Sequence, residues 1–444
     1  MKVLVIGGGS REHALCWSLR QDPEVEKLYA APGNAGTALH AENLPIAADD
    51  IDSLSLLAQE LRPDLTVVGP EAPLCAGITD AFGRHGLSVF GPSARSARLE
   101  GSKVWTKDLA KRYGIPTAEA RSFDDPREAT SFSRGFPFPQ VIKADGLASG
   151  KGVFIVTDFL EAQKAIASLM DRRLYGAAGQ RILIEAFLEG VELSAFALFD
   201  ANQYSLLGVA HDYKRIDDGD RGPNTGGMGA FLPSPFVSPA LLRQIEESIF
   251  SRLHAACTGE RLDYRGVLYA GLMITQDGPF LLEINVRLGD PEAQVLLPTL
   301  KTPLSEIAGA TCRDELGQLH LLRHRRSVVG VVISSSGYPE NPRLEDRIIL
   351  SEAKAPASER QGLLFYGATK QTQGILRTSG GRVFTAVGWG DRLAEARKRA
   401  YEQVNAVTFP DMHFRKDIAS FLAGRPVPEP EGEHGLLSRF EPLY

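Results

Sequence analysis

Along the first hundred residues, one pattern of apolar and polar positions repeats. A short apolar run meets glycine or proline, and a helical spacing follows. The runs are residues 3–6, 27–31, 65–68 and 87–90. They end at Gly7-Gly8-Gly9, Pro32-Gly33-Asn34-Ala35-Gly36, Gly69-Pro70-Glu71-Ala72-Pro73 and Gly91-Pro92. Residues 12–20 and 54–61 carry apolar positions at helical spacing. Strands alternating with helices, with glycine at the strand ends, predict a doubly wound parallel sheet over residues 1–102. Ligands of such sheets sit at the C-terminal ends of the strands.

The pattern changes after residue 102. Elements lengthen, and two glycine-rich stretches, 143–152 and 222–229, read as loops. From residue 328 strands resume at 328–334, 362–369 and 382–388, followed by a helix at 393–404. This predicts a small C-terminal α+β domain over 328–424. Residues 425–444 are rich in proline and glutamate and are expected to form a flexible tail. The fold class is therefore α/β and α+β multidomain, and a chain of 444 residues suits about three domains.

The opening loop invites a dinucleotide reading, which fails twice. In Gly-x-Gly-x-x-Gly, Gly7 and Gly9 fit the first two positions, but the third is Glu12. The acid expected at the end of the second strand is absent from Tyr29-Ala30-Ala31-Pro32. A helix N-terminus at Gly8, Gly9 and Ser10 still suits a single phosphate or carboxylate, and Arg11 could add charge. The alternative is a tight strand-to-helix turn that holds nothing.

Further along, the stretch Lys143-Ala-Asp-Gly-Leu-Ala-Ser-Gly-Lys-Gly152 places Gly146, Gly150 and Gly152 beside Lys143 and Lys151. Glycines let backbone amides approach an anion, and the lysines add point charges. The stretch is not a Walker loop, because Gly-Lys is followed by Gly152. A hairpin with solvated lysines is the plain alternative.

In the run 281–287, read as a strand, Glu283, Asn285 and Arg287 share a face. One carboxylate and one amide oxygen suit Mg2+, which completes its shell from phosphates and water. A solvated polar edge is the alternative. The segment 181–192 reads as strand, break, strand, and a break leaves backbone groups able to pair with an adenine edge.

Net charge is −6, and the one basic run, Arg323 to Arg326, is short, so general nucleic-acid binding is not expected. The cysteines at 16, 75, 257 and 312 lie too far apart for a zinc cluster and suggest a reducing cytoplasm. No signal peptide and no membrane-spanning apolar run are expected.

These features together resemble the ATP-grasp ligases. The motifs Gly8-Gly-Ser-Arg-Glu-His-Ala14, Ala31-Pro-Gly-Asn-Ala-Gly-Thr37, Val68-Gly-Pro-Glu-Ala-Pro-Leu74, Glu100-Gly-Ser-Lys103, Lys143-Ala-Asp-Gly-Leu-Ala148, Gly222-Pro-Asn-Thr-Gly-Gly-Met-Gly-Ala230 and Gly289-Asp-Pro-Glu292 narrow it. In order and spacing they are similar to the phosphoribosylamine-glycine ligase (glycinamide ribonucleotide synthetase) family of purine biosynthesis, from residue 1 to about 420.

The resemblance implies a central ATP-grasp region over 103–327, with a mobile nucleotide-covering subdomain at about 120–192. It implies ATP with Mg2+, or Mn2+ in its place, as cofactors. Glycine and 5-phosphoribosylamine would be the substrates, joined through a glycyl phosphate by a cytoplasmic monomer. Lys103, Lys143 and Lys151, with Gly150 and Gly152, would balance the ATP phosphates. Glu185, Phe187 and Leu188 would meet adenine, and Glu192 the ribose. Glu283 and Asn285 would hold the metal. Arg287 would neutralise the glycine carboxylate or the acyl phosphate, with Lys143 and Asp212 completing the catalytic set. Gly8, Gly9 and Ser10 would take the sugar phosphate, and Asn34, Glu71, Asp212, Lys214 and Asp290 would lie on the substrate side.

Some positions depart from the family pattern: His211 and Tyr213 around Asp212, Ser149 in the lysine loop and Ala186 after Glu185. Another ATP-grasp enzyme is disfavoured by the Arg-Glu-His loop. A nucleotide-binding regulator without activity is disfavoured by the retention of Lys143, Glu283 and Asn285.

Overall fold

The structure, a computed structural model, describes residues 1–147, 152–351 and 361–420. The N-terminal strands β1 (Lys2–Gly7), β2 (Lys27–Pro32), β3 (Glu42–Asn43), β4 (Leu65–Val68) and β5 (Val89–Phe90) form one sheet in the order β3-β2-β1-β4-β5. Every pairing in it is parallel. The order reverses at β1, so the crevice lies beyond its C-terminal end. Residues Val3 to Ile6 are fully buried, as expected of a central strand covered on both faces. The run expected at 87–90 pairs only over Val89–Phe90.

A second, four-stranded sheet holds β6 (Ala120–Phe123), β7 (Gln140–Ala144), β8 (Val153–Val156) and β9 (Ile182–Ala186), in the order β6-β9-β7-β8. Helices Pro126–Gly135 and Phe159–Ile166 cover it, and Ala129, Ala162 and Ile166 pack on Ile142 and Ile184. Asp125 and Asp158 start these helices by accepting backbone N–H groups of Arg127 and Glu161.

The third sheet is larger. Strands β10 (Val191–Phe199), β11 (Tyr204–Asp217), β12 (Arg221–Leu232), β13 (Gly266–Thr275), β14 (Gly278–Asn285) and β15 (Ser327–Ser334) pair in the order β14-β13-β10-β11-β12-β15. Beyond β15 the same sheet continues through Arg382–Gly390 and Gly362–Tyr366. The architecture is mixed α/β, with a parallel N-terminal sheet and antiparallel sheets after it.

One expectation changes here. The stretch 222–229 is not a loop, because it lies in β12, whose ladder to β11 is broken by register shifts. Gly222 and Gly227 have φ of +78° and +114°, which gives the stretch its glycine content without making it a turn. The strands expected from 328 onward are hydrogen-bonded into the third sheet. Gly229 pairs with Val331 and Leu232 with Val328, so the sheet passes through the expected boundary at 327 unbroken. Helix Leu393–Val404 covers this end, with Ala396, Ala400 and Val404 on Val329 and Val331. The expected tail, 425–444, lies outside the described residues. No helix among the described residues is long and apolar enough to cross a membrane.

Candidate active site

All three sheets border one cleft of about 1310 Å³. Strand β7 ends by delivering Lys143 to it, and helix Lys103–Arg112 delivers Lys103 and Lys107. Glu185, near the end of β9, meets both Lys143 and Lys107. Its Oε2 lies 2.9 Å from Lys143 Nζ and its Oε1 lies 3.0 Å from Lys107 Nζ. All three side chains are buried, at 9%, 5% and 2% exposure for Lys143, Lys107 and Glu185. Burial alone pushes the Glu185 carboxyl up, but the two lysines outweigh it and hold it below the usual carboxylate range. Burial lowers the Lys107 ammonium to about 8 against the pull of Glu185. Lys103 donates to Gly146 O at 2.9 Å, and burial lowers it too.

Opposite the lysines, Glu283 and Asn285 line the cleft as strand alternation requires, but β14 ends at Asn285, and Arg287 joins them from the bend that follows rather than from the expected strand. Asn285 Nδ2 lies 3.3 Å from Glu283 Oε1, and its Oδ1 accepts from Arg287 Nη2 at 3.1 Å. Arg287 also pairs with Glu100 at 2.8 Å and with Glu71 at 3.1 Å. Burial pushes Glu100 up to about 7 despite Arg287. For Glu71, burial is overcome by Arg287 and Arg11, and the carboxyl falls to about 2. One carboxylate and one amide oxygen fit a hard cation that takes its remaining ligands from phosphate. Among the described residues no group of three His, Cys, Asp or Glu side chains forms a closed metal site.

The third wall holds Lys214, which pairs with Glu192 and lies 3.5 Å from Asp212. Below it, Ser194 Oγ sits 3.0 Å from Asp212, 3.1 Å from Glu292 and 2.9 Å from Tyr269 OH. Burial first, and Asp212 second, push Glu292 up to about 7. Asp290 meets Arg382, from the strand Arg382–Gly390, at 3.1 Å.

The structure thus brings Glu71, Lys103, Lys143, Gly152, Glu185, Phe187, Leu188, Glu192, Asp212, Lys214, Glu283, Asn285, Arg287 and Asp290 to one cleft. Gly150 and Lys151 lie outside the described residues. Both Glu185 oxygens are engaged by lysines, and the backbone at 186–188 follows directly on this side chain. Glu192 is paired with Lys214.

Of the N-terminal loop, Arg11 lines the cleft, whereas Gly8, Gly9, Ser10 and Asn34 lie behind it among their own partners. The Gly9 N–H donates to Glu12 Oε2 at 2.5 Å, so the helix Ser10–Arg20 caps itself with its own carboxylate. A phosphate there would meet that negative charge. Ser10 Oγ lies 3.1 Å from Phe365 O and 3.0 Å from Thr385 Oγ1. Asn34 Nδ2 donates to Gly8 O, Gly9 O, Tyr366 O and Gly367 O. His13 Nδ1 accepts from the Tyr366 N–H at 2.8 Å. The loop joins the first sheet to the C-terminal strands.

Sequence reasoning missed Lys107, Glu100, Glu292 and Arg382. Lys107 follows Lys103 by four residues on one helix, a spacing that puts both on one face. Glu100 and Glu292 stand inside the quoted motifs Glu-Gly-Ser-Lys and Gly-Asp-Pro-Glu. Arg382 carries no local signal, since only the continuous third sheet brings it to Asp290.

The chain matches three family models. They are the phosphoribosylglycinamide synthetase N domain over residues 1–100, the ATP-grasp (A) domain over 101–293 and the C domain over 328–421. The phosphoribosylamine–glycine ligase of Caldanaerobacter subterraneus is 43% identical over 420 residues, covering 95% of this chain and 100% of that one. The solved phosphoribosylamine–glycine ligase of Thermotoga maritima superposes with a TM-score of 0.82 at 35% identity, covering 94% of this chain and 100% of that one. The biotin carboxylase domain of Hydrogenobacter thermophilus 2-oxoglutarate carboxylase shares the fold, with a TM-score of 0.70 at 14% identity over 93% of this chain and 91% of that one.

Proposed function

The chain belongs to the phosphoribosylglycinamide synthetase family, and on that premise we propose that it joins glycine to 5-phosphoribosylamine with ATP. One glycine carboxylate oxygen attacks the γ-phosphorus and ADP leaves. The amine nitrogen then attacks the acyl carbon of the glycyl phosphate. A C–N bond forms, the C–O bond breaks, and phosphate departs with that oxygen. The attacking nitrogen gives up its proton, and glycinamide ribonucleotide is released.

Such a reaction needs charge balance and alignment more than a covalent nucleophile. Lys143 and Lys103 stand at the phosphate end, where Lys151 and the glycines Gly150 and Gly152 are expected to join them. Backbone groups at 186–188 take the adenine edge beside Phe187 and Leu188. Glu283 and Asn285 would hold Mg2+, or Mn2+, either of which accepts oxygen ligands and draws charge from the phosphates when bound. Arg287, held by Glu71 and Glu100, faces the glycine carboxylate. Asp212, Lys214 and Asp290 form the wall that receives the amine substrate. The four cysteines are unpaired, which supports a reducing cytoplasmic setting.

One observation carries the reading. Buried lysines and the Glu283–Asn285 pair face a single cleft in a chain with 43% identity to an enzyme of this name. The test supplies purified protein with ATP, Mg2+, glycine and phosphoribosylamine and measures the product by mass. Phosphate release that depends on glycine and yields glycinamide ribonucleotide is expected. Folded, ATP-binding protein that makes no such product would refute the assignment.

A further inference from the structure

Two lysines share a single buried carboxylate at the nucleotide end, and their surroundings differ. Lys107 Nζ has a second anchor, Thr117 Oγ1 at 2.7 Å, and Thr117 in turn donates to Leu281 O at 2.7 Å. Lys143 Nζ has the looser second contact, Leu282 O at 3.2 Å. Lys143 lies at the end of β7, the strand that leads into the glycine-rich stretch, whereas Lys107 lies in mid-helix. One cation is therefore fixed, and the other is poised to leave.

Withdrawing the only partner of a buried carboxylate is heavily penalised, whereas withdrawing one of two is not. We propose that Lys107 is a positioning residue: it remains on Glu185 as a resident counter-ion and thereby releases Lys143 to the phosphates of ATP. The inference rests on the reading of the cleft as a nucleotide site and adds a residue to it. Without Lys107, Lys143 becomes the sole partner of Glu185 and is held back from the phosphates.

The groups facing Lys107 are Glu185, Lys143 and Lys111. Its ammonium, lowered to about 8 by burial, loses its proton as pH rises through that value. ATP affinity of the wild type should then fall above pH 8, whereas an arginine at this position stays charged.

The test compares wild type, K107M and K107R by calorimetry, with a non-hydrolysable ATP analogue and with AMP, and by steady-state kinetics. K107M is expected to weaken analogue binding and raise KM for ATP roughly 10- to 100-fold, the range for losing one charge-assisted contact. AMP affinity and KM for glycine should change little. K107R should bind ATP as the wild type does at pH 7 and should lose the fall above pH 8. A purely structural role would instead lower the melting temperature and depress every kinetic constant together. K107M that binds the analogue like the wild type overturns the inference and leaves the ligase reading standing. Wild type that binds no ATP overturns both. If K107M does not fold, K107R decides alone, because an unchanged fall above pH 8 contradicts the inference.

Discussion

The glycine loop that opens the chain and the lysine end of the cleft both look like anion sites in sequence, yet they are opposites in structure. At the loop every charge has a partner. Arg11 Nε meets Glu12 Oε1 at 2.7 Å, Glu12 caps Gly9, and Asn34 is spent on four carbonyls. At the lysine end, Lys107 and Lys143 share one carboxylate, so positive charge is left over. Glycines and a helix start are common to tight turns and to phosphate cradles. The balance of buried charge separates them, because leftover charge is stable only when a ligand can pair with it.

The sharpest way to break this contrast is to remove charge from each region in turn. Glu283→Gln, at the nucleotide end, should lower Mg2+-dependent turnover about 100-fold or more while leaving the melting temperature nearly unchanged, as steady-state kinetics and calorimetry would show. Glu12→Gln should do the reverse. It takes from buried Arg11 its nearest carboxylate, leaving Leu288 O and the field of Glu71, and should cost up to ~3 kcal/mol of stability in a denaturant titration, with KM for ATP unaltered. A Glu12→Gln protein of normal stability but weakened substrate binding would restore the loop as a ligand site.

The smallest effect is a pH slope. Burial pushes the Glu100 carboxyl up to about 7, against 4.5 for a freely solvated glutamate. Between these values the folded chain binds more protons than the unfolded one, so stability falls as pH rises from 4.5 through 7. Glu71, lowered to about 2, acts in the other direction. Its contribution is present above 4.5 and is lost as pH falls through 2. Melting temperatures measured from pH 4.5 to 8 should lose part of their decline in Glu100→Gln.

Much of this was legible in the chain. Period-two alternation puts Glu283 and Asn285 on one face of β14, with Arg287 brought beside them by the bend beyond it, and the four N-terminal runs are neighbouring parallel strands. What escaped depended on distance in sequence. Arg382 reaches Asp290 only because β15 and Arg382–Gly390 extend the third sheet. The stretch around Gly227 looked like a loop because glycine signals turns, and nothing local reveals that β11 holds it as a strand. Glu12 was read as a failed third glycine. Its carboxylate instead closes the loop, a role that becomes visible only when Gly9 and Arg11 are seen around it.

In the proposed reaction glycine is activated at its carboxylate by the nucleotide held at the lysine end. Glycine carrying 18O in both carboxylate oxygens, turned over with ATP and phosphoribosylamine, tests it directly by the mass of the released phosphate. One 18O per phosphate is the expected result, since the oxygen that attacks the γ-phosphorus leaves with it. Phosphate free of label, with product still formed, would contradict the account.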